Sequence, residues 1–447
     1  MSQVSTVRMA NAFDGDGQEG RLPAREAALL ERRTQRLGAA YRLFYREPVH
    51  FVRGEGVSLF DPDGNAYLDA YNNVACVGHG HPHVVQAMAE QAATLNTHTR
   101  YLTDGIIEYA ERLLAYFPAS LSQLTLTCTG SEANDLAYRM ARTVTGADGV
   151  IVTDHAYHGV TTAVAQMSPS LGLGVAEHVR TVPPPDPHER RGPAGDVLAA
   201  DVRAAAQDLS GHGIRPAMLL VDTIFASDGM LPEPAGSLRP AAAEIRAQGG
   251  LFVADEVQAG FARLAPAMWG FERHGLVPDL VTLGKPMGGG YPMAGVVTSP
   301  AVATEFGART RYFNTFGGNP VACAVGSAVL DVLEQEQLRE HVADVGAHLA
   351  AGLRELSSRH ELLGDVRAAG LFAGVDVVRE GQPAPDAADD IVNGLRDRRV
   401  LVSTSGPHED VVKIRPPLVF ARSDADRLLA ALDETLTDLS RVGRAEP

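Results

Sequence analysis

Lysine is scarce in this 447-residue chain: of 39 basic residues only Lys285 and Lys413 are lysines, and the rest are arginines. A guanidinium stays protonated, whereas an amine can lose its proton, attack an aldehyde and form a Schiff base. A lysine retained against such a bias is a candidate for chemistry that arginine cannot do. Lys285 stands in Thr282-Leu283-Gly284-Lys285-Pro286-Met287-Gly288-Gly289-Gly290, directly after an apolar, strand-like run. Open α/β sheets place their ligands at the ends of such strands. Partial burial there lowers an amine's pKa and favours its nucleophilic form. The glycines let a ligand come close to the backbone.

Thirty residues earlier, Leu251-Phe252-Val253-Ala254 runs into Asp255-Glu256-Val257-Gln258. That interval suits one strand–helix–strand crossover, which sets Asp255 and Lys285 at neighbouring strand ends. A carboxylate at the base of a pocket keeps a pyridine nitrogen protonated, the condition under which pyridoxal phosphate withdraws electrons. A third segment, Leu124-Thr125-Leu126-Thr127-Cys128-Thr129-Gly130-Ser131-Glu132, reads as a strand, a tight turn and a helix beginning near Glu132. Amides at a helix N-terminus together with a serine hydroxyl make an anion cradle, suited to a cofactor phosphate. The motif is neither a Walker loop nor GxGxxG, which disfavours nucleoside phosphates. Tyr157, in Asp154-His155-Ala156-Tyr157-His158-Gly159, offers a ring that can stack on a heteroaromatic ligand. The loop 312–320 adds a hydroxyl and glycine-flanked amides ahead of another helix. His79, His81 and His83 alternate without a helical His pair or a cysteine beside them, so no metal site is assigned.

The elements that must position these residues are legible as alternation. Between residues 80 and 300, strand-like runs at 124–127, 150–153, 218–221, 251–254, 280–283 and 294–298 are separated by helical stretches. Such a pattern predicts an α/β fold, with a mostly parallel central sheet covered by helices on both faces. Ahead of it lie a helix over 22–37 and two short strands, 57–60 and 66–69, joined by the turn Asp61-Pro62-Asp63-Gly64. After Pro320 the composition predicts one long helix to about residue 357. A strand–helix–strand series at 370–378, 386–398 and 411–414 follows, forming a smaller α+β domain. The expected division is a flexible tail over 1–20, a segment 21–75 packing with the small domain, a large domain over 76–318 and the small domain over 319–447.

Composition narrows the class of function. Hydrophobic residues make up 45% of the chain, enough for a large core. The net charge of −16 opposes nucleic acid and anionic membrane surfaces as partners. No apolar run reaches the ~18 residues of a membrane span, and the first twenty residues lack the apolar centre of a signal peptide. Three separated cysteines without CxxC spacing point to a reducing cytoplasm.

Taken in order, Gly130-Ser131-Glu132-Ala133-Asn134, Tyr157-His158-Gly159, Asp255-Glu256-Val257-Gln258, Leu283-Gly284-Lys285 and Asn314-Thr315-Phe316-Gly317-Gly318-Asn319-Pro320 resemble the motifs of the class III aminotransferases. Those are pyridoxal-phosphate enzymes of fold type I, and the likeness runs over residues 56–420. Tyr71-Asn72-Asn73-Val74, the stretch 96–102 and Gly406-Pro407-His408 are most similar to the ethanolamine-phosphate phospho-lyase branch. The resemblance implies that Lys285 carries the cofactor as a Schiff base and later moves protons. It implies that Asp255 pairs with the pyridine nitrogen and that Gln258 reaches the ring hydroxyl. Tyr157 and Val257 would flank the ring, and Gly130 and Ser131 would hold the phosphate. Thr315 would come from a second subunit, which implies a homodimer with shared active sites, or a higher oligomer. Tyr71, Arg100 and Lys413 are the candidate substrate contacts.

Two departures from the family pattern bear on the reaction. Asp222-Thr223 stands where many class III aminotransferases carry a glutamate. Lys413 stands three residues before Pro416-Pro417, where many carry a carboxylate-binding arginine. The expected activity is amino transfer between a small amine or ω-amino substrate and an oxo acid or aldehyde. The alternative is elimination of phosphate from a phosphorylated amino alcohol such as phosphoethanolamine, and a second alternative is a homologue that binds the cofactor without catalysis.

Overall fold

The computed structural model describes residues 11–13, 22–186 and 192–443; the rest of the expected tail over 1–20 lies outside the described residues. Seven strands form the central sheet: Gln123–Thr127 (β1), Gly149–Thr153 (β2), Val179–Val182 (β3), Pro216–Asp222 (β4), Leu251–Asp255 (β5), Leu280–Leu283 (β6) and Ala294–Thr298 (β7). Their order is β1-β7-β6-β5-β4-β2-β3. Neighbours are parallel from β6 to β3, while β7 runs antiparallel to both β1 and β6. The inner strands are buried almost without interruption, as expected where helices cover both faces. All six expected strands are present. The seventh, β3, is a four-residue edge strand with only its end valines buried, too short for a pattern to announce it.

Register decides where the chemistry lies. Asp222 and Asp255 are Cα partners at the ends of β4 and β5, and Asp255 is opposite Thr282 on β6. The C-terminal ends of three adjacent strands therefore converge on one rim of the sheet.

The C-terminal region forms an antiparallel sheet from Leu363–Ala369 (β8), Phe372–Arg379 (β9), Ser403–Ser405 (β10) and Val411–Ile414 (β11), in the order β8-β9-β11-β10. Val400–Leu401 pairs in parallel with Ala66–Asp69, tying the N-terminal strands to this region. The single long helix expected after Pro320 is two, Pro320–Gln335 and Leu338–Arg359. Gln337 between them adopts φ +50°, a left-handed conformation that glutamine does not advertise. Unbroken, the helix would run roughly 55 Å in one direction; the break turns its second half onto β8 and the helix Arg422–Gly443.

Gly346 marks how closely that second helix approaches. A Cβ there would fall on the carbonyl oxygen of Gly370. Gly307, in the helix Pro300–Arg309, has nothing within 4 Å of the same position. Alanine in a helix is favoured over glycine by up to ~1 kcal/mol, while overpacking costs ~1–3 kcal/mol. Thermal unfolding should therefore show Gly307→Ala raising Tm and Gly346→Ala lowering it.

Candidate active site

The rim is built outward from Asp255. Its Oδ2 accepts hydrogen bonds from His158 Nδ1 at 2.7 Å and Asn134 Nδ2 at 2.9 Å, and its Oδ1 accepts from the Val257 amide at 3.0 Å. The Asn134 amide is oriented by Thr282, whose hydroxyl donates to Oδ1 at 2.7 Å, leaving the NH2 for Asp255 and the His158 carbonyl. Because a carboxylate accepts, the His158 ring carries its proton on Nδ1; its buried Nε2 has no protein partner.

The anion cradle begins at the helix Gly130–Thr145, two residues earlier than expected. Thr129 caps it: its hydroxyl accepts from the Glu132 amide at 3.2 Å, and the Glu132 carboxylate accepts from the Thr129 amide at 2.9 Å. This reciprocal cap fixes the first turn while its leading amides face outward. Ser131 Oγ accepts from the Val160 amide at 3.1 Å. Gly159 has φ +137°, and a Cβ there would fall on Ser131 Oγ, so the loop carrying Tyr157 closes directly on the cradle.

Lys285 opens a one-turn 3-10 helix beyond β6 with φ +34°, a strained conformation of the kind found at functional sites. Burial lowers its amine from the usual lysine range to about 8. The Arg415 charge pushes the same way, and Asp255 and Asp222 oppose it. Asp222 is itself held up by burial and then by the neighbouring Asp255 charge. It accepts from the amides of Ile224 and Ala226 at 3.1 and 3.2 Å and from Gln258 Nε2 at 3.3 Å. The Gln258 Oε1 in turn accepts from the Arg415 guanidinium.

Seven of the eight expected cofactor residues, Gly130, Ser131, Tyr157, Asp255, Val257, Gln258 and Lys285, line one pocket, with His158, Gly159 and Asp222 completing its wall. The cavity it encloses is about 110 Å³. Thr315 is exposed and outside this wall. Arg100 is also outside it, exposed and lying 3.8 Å over the Phe313 ring. Tyr71 sits one layer back, its ring 5.0 Å from the Arg415 guanidinium. Lys413 is buried, with Nζ donating to the Ala226 carbonyl at 3.1 Å. Glu256 turns away from the pocket; it accepts from the Gly270 and Phe271 amides at 2.7 and 2.8 Å and from Thr223 at 2.9 Å. The three alternating histidines each meet a carboxylate: His79 with Asp69, His81 with Glu336, His83 with Asp331.

Sequence reasoning passed over three contributors. His158 and Asn134 lie inside quoted motifs, but their convergence on Asp255 depends on the order of the strands. Arg415 was hidden by the abundance of arginine.

A reactive amine and a carboxylate on adjacent strand ends, facing a capped helix start across a slot, is the construction of a fold type I pyridoxal-phosphate enzyme. Solved structures carry the same fold. A phospholyase from Arthrobacter in complex with phosphoethanolamine is 43% identical, with a TM-score of 0.89 over 92% of this chain and 99% of that one. The taurine:2-oxoglutarate aminotransferase of Bifidobacterium kashiwanohense, 24% identical, shares the fold with a TM-score of 0.83 over 94% and 99%. In sequence, an alanine–glyoxylate aminotransferase 2-like protein of Drosophila melanogaster is 39% identical over 91% of this chain and 86% of its own. Ethanolamine-phosphate phospho-lyase homolog 1 of Caenorhabditis elegans is 35% identical over 92% and 94%. The family model for class III aminotransferases matches residues 44–436. The chain belongs to that family, whose cofactor is pyridoxal phosphate.

The residues present fit that cofactor. The cradle at Gly130 and Ser131 suits its phosphate, and the absence of a Cβ at Gly130, where one would press on Val257, lets Val257 pack against the start of the cradle helix. Asp255, already ordered by three donors, suits the ring nitrogen, and the low-lying amine of Lys285 suits the aldehyde.

Only the uncharged amine attacks an aldehyde. Apo-enzyme mixed with pyridoxal phosphate should therefore take it up covalently at a rate that climbs as pH rises through about 8 and levels off above. Asp255 favours the charged amine, so Asp255→Asn should move that midpoint to lower pH. Stopped-flow absorbance reads both.

Proposed function

We propose that this enzyme transfers an amino group from a small amine or ω-amino substrate to an oxo acid or aldehyde, with Lys285 as the group that takes and returns the proton. The carrying observation is the half-buried Lys285 amine, lowered to about 8 by desolvation, just beyond the strand end next to Asp255. Bound pyridoxal phosphate supplies a ring that spreads the charge left when a proton leaves the carbon beside nitrogen. Asp255 would hold the ring nitrogen protonated, and His158 and Asn134 keep that carboxylate aimed. Gly130 and Ser131 would anchor the phosphate, and Tyr157 and Val257 would fix the plane of the ring. Gln258, oriented by Arg415 and Asp222, presents its amide to the same slot. Lys285, once displaced by the substrate amine, is a free base within the pocket; it removes the proton from the substrate carbon and delivers it where amino transfer requires.

Elimination is the second reading, favoured by Lys413 in the place of a carboxylate-binding arginine and by the 43% identical phospholyase. The same proton removal, with phosphate on the next carbon, would expel the phosphate. A compact ammonium suits phosphate as a point charge, without the bidentate fork suited to carboxylate.

The purified enzyme should be yellow, and borohydride should fix the cofactor to Lys285 by mass spectrometry. Lys285→Arg should keep the charge and lower turnover by at least about 100-fold. Incubation with phosphoethanolamine, alone and with pyruvate, decides between the readings. Alanine without released phosphate supports amino transfer. Phosphate and acetaldehyde released without any oxo acid support elimination and overturn amino transfer.

Thr315 completes the site only if a second copy brings it, and we propose a homodimer on that basis. Tyr101, Leu102 and Phe316 on the neighbouring loops are exposed apolar surface in the single chain. Sedimentation at assay concentration should give a dimer, and an active monomer would defeat the shared-site arrangement.

A further inference from the structure

Asp228 is a buried carboxylate, 6% exposed, that lies outside the pocket wall and plays no part in the chemistry above. It belongs to the segment after β4, yet its oxygens reach the end of β2: Oδ2 accepts from the Thr153 hydroxyl at 2.7 Å and Oδ1 from the His155 amide at 3.0 Å. The ladder of β2 closes with the Asp154 amide on the Val182 carbonyl, so His155 offers the first amide beyond the sheet, and a carboxylate meets it. From there the loop runs to Tyr157, which would stack on the cofactor ring, and to His158, which donates to Asp255. Its far end is tied as well. Ser168 Oγ accepts from the His158 amide at 3.0 Å, and Ser131 Oγ from the Val160 amide at 3.1 Å. Tyr157 itself is 38% exposed, so its ring is placed by the backbone between those ties more than by packing.

Asp228 is fixed from behind by the small sheet. Arg367 on β8 donates to the Gly229 and Met230 carbonyls at 3.1 and 3.0 Å and pairs with Asp376 on β9. Ser405, ending β10, donates to the Ala226 carbonyl at 2.7 Å, and Ile224, Ala226 and Met230 pack with Ala369 and Phe372 in one apolar cluster. Phe225 and Met230 hold φ of +54° and +65°, left-handed backbone that persists where surrounding contacts over-determine it. Burying a carboxylate is costly without donors; burial pushes Asp228 up to about 7, against the pull of Thr153 and His155. We propose that Asp228 is a positioning residue for the cofactor ring: by holding Thr153 and His155 it sets the start of the loop that brings Tyr157 to the ring and His158 to Asp255. This role is the same for amino transfer and for elimination.

The test titrates apo-enzyme with pyridoxal phosphate and records the visible circular dichroism of the bound cofactor, which reports how the ring is held. Asp228→Ala should raise the cofactor Kd about tenfold and alter that dichroism, through the loss of two hydrogen bonds that fix the loop. Asp228→Asn should restore most of both, because its oxygen still accepts from His155 and its NH2 can donate to Thr153. In a Tyr157→Ala background, Asp228→Ala should raise the Kd much less than it does in wild type, since the two residues act through one contact. Hydrogen exchange over 154–160, measured without cofactor, should be faster in Asp228→Ala than in wild type. Leu353→Ala, a core truncation in the helix Leu338–Arg359, separates positioning from general destabilisation: it should lower Tm and leave Kd and dichroism as in wild type. Should Asp228→Ala not fold, Thr153→Val removes one of the two bonds with little change of shape and should shift Kd and dichroism the same way by a smaller amount. A Kd and dichroism in Asp228→Ala that match those of Leu353→Ala, an equal effect of Asp228→Ala with and without Tyr157, or a Thr153→Val enzyme indistinguishable from wild type would each overturn the proposal.

Discussion

One buried charge organises this molecule. Asp255 ends a central strand, only 4% exposed, where an unpaired carboxylate would be prohibitive. It persists because three donors from three separate places meet it: the Val257 amide just beyond its own strand, Asn134 from the cradle helix, and His158 from the loop after β2. Asn134 is aimed by Thr282 on β6. No local segment could assemble that set. It requires β6, β5, β4 and β2 to lie side by side with their ends in register, so the sheet order is what makes the charge affordable.

The second tier of the site follows from the first. Asp222 stands beside Asp255 in the parallel ladder, and two neighbouring carboxylates repel. Asp222 is stabilised by its turn amides and by the Gln258 side chain, whose other end is pinned by Arg415. The arginine removes the ambiguity of the amide: with a guanidinium at the oxygen, the NH2 must face Asp222. Lys285 then sits between opposing influences, burial and Arg415 lowering its pKa and the two carboxylates raising it. An amine near 8 is the outcome of that contest, poised to lose its proton without losing its place.

What was legible in the sequence was local. Strand, turn and helix succeed one another within the motifs, so the strand ends carrying Lys285 and Asp255, and the cradle at Gly130 and Ser131, are placed by their own segments. What was not legible depends on contacts across the chain. The break at Gln337 is a left-handed residue that carries no signal, and β3 is an edge strand of four residues. Arg100 could be named from its segment, but nothing in that segment says that its guanidinium packs on Phe313, outside the pocket of its own chain. Lys413, expected as a substrate contact, has its amine anchored to the turn after β4 through the Ala226 carbonyl. Because the Ala226 amide donates to Asp222, the lysine and the aspartate share one turn.

The division of labour between the two kinds of cation follows from that. Arg263 and Arg415, both buried, contact carbonyls, amide oxygens and aromatic faces, where a delocalised and weakly hydrated charge is tolerated. Of the two lysines Lys413 is buried and Lys285 half-buried, and burial lowers the pKa of both. A guanidinium at either place would remain charged through every ligand state. An amine can be charged in one state and neutral in the next. In a chain that otherwise uses arginine for its positive charge, lysine survives at the two desolvated positions where protonation can follow what the neighbouring pocket contains.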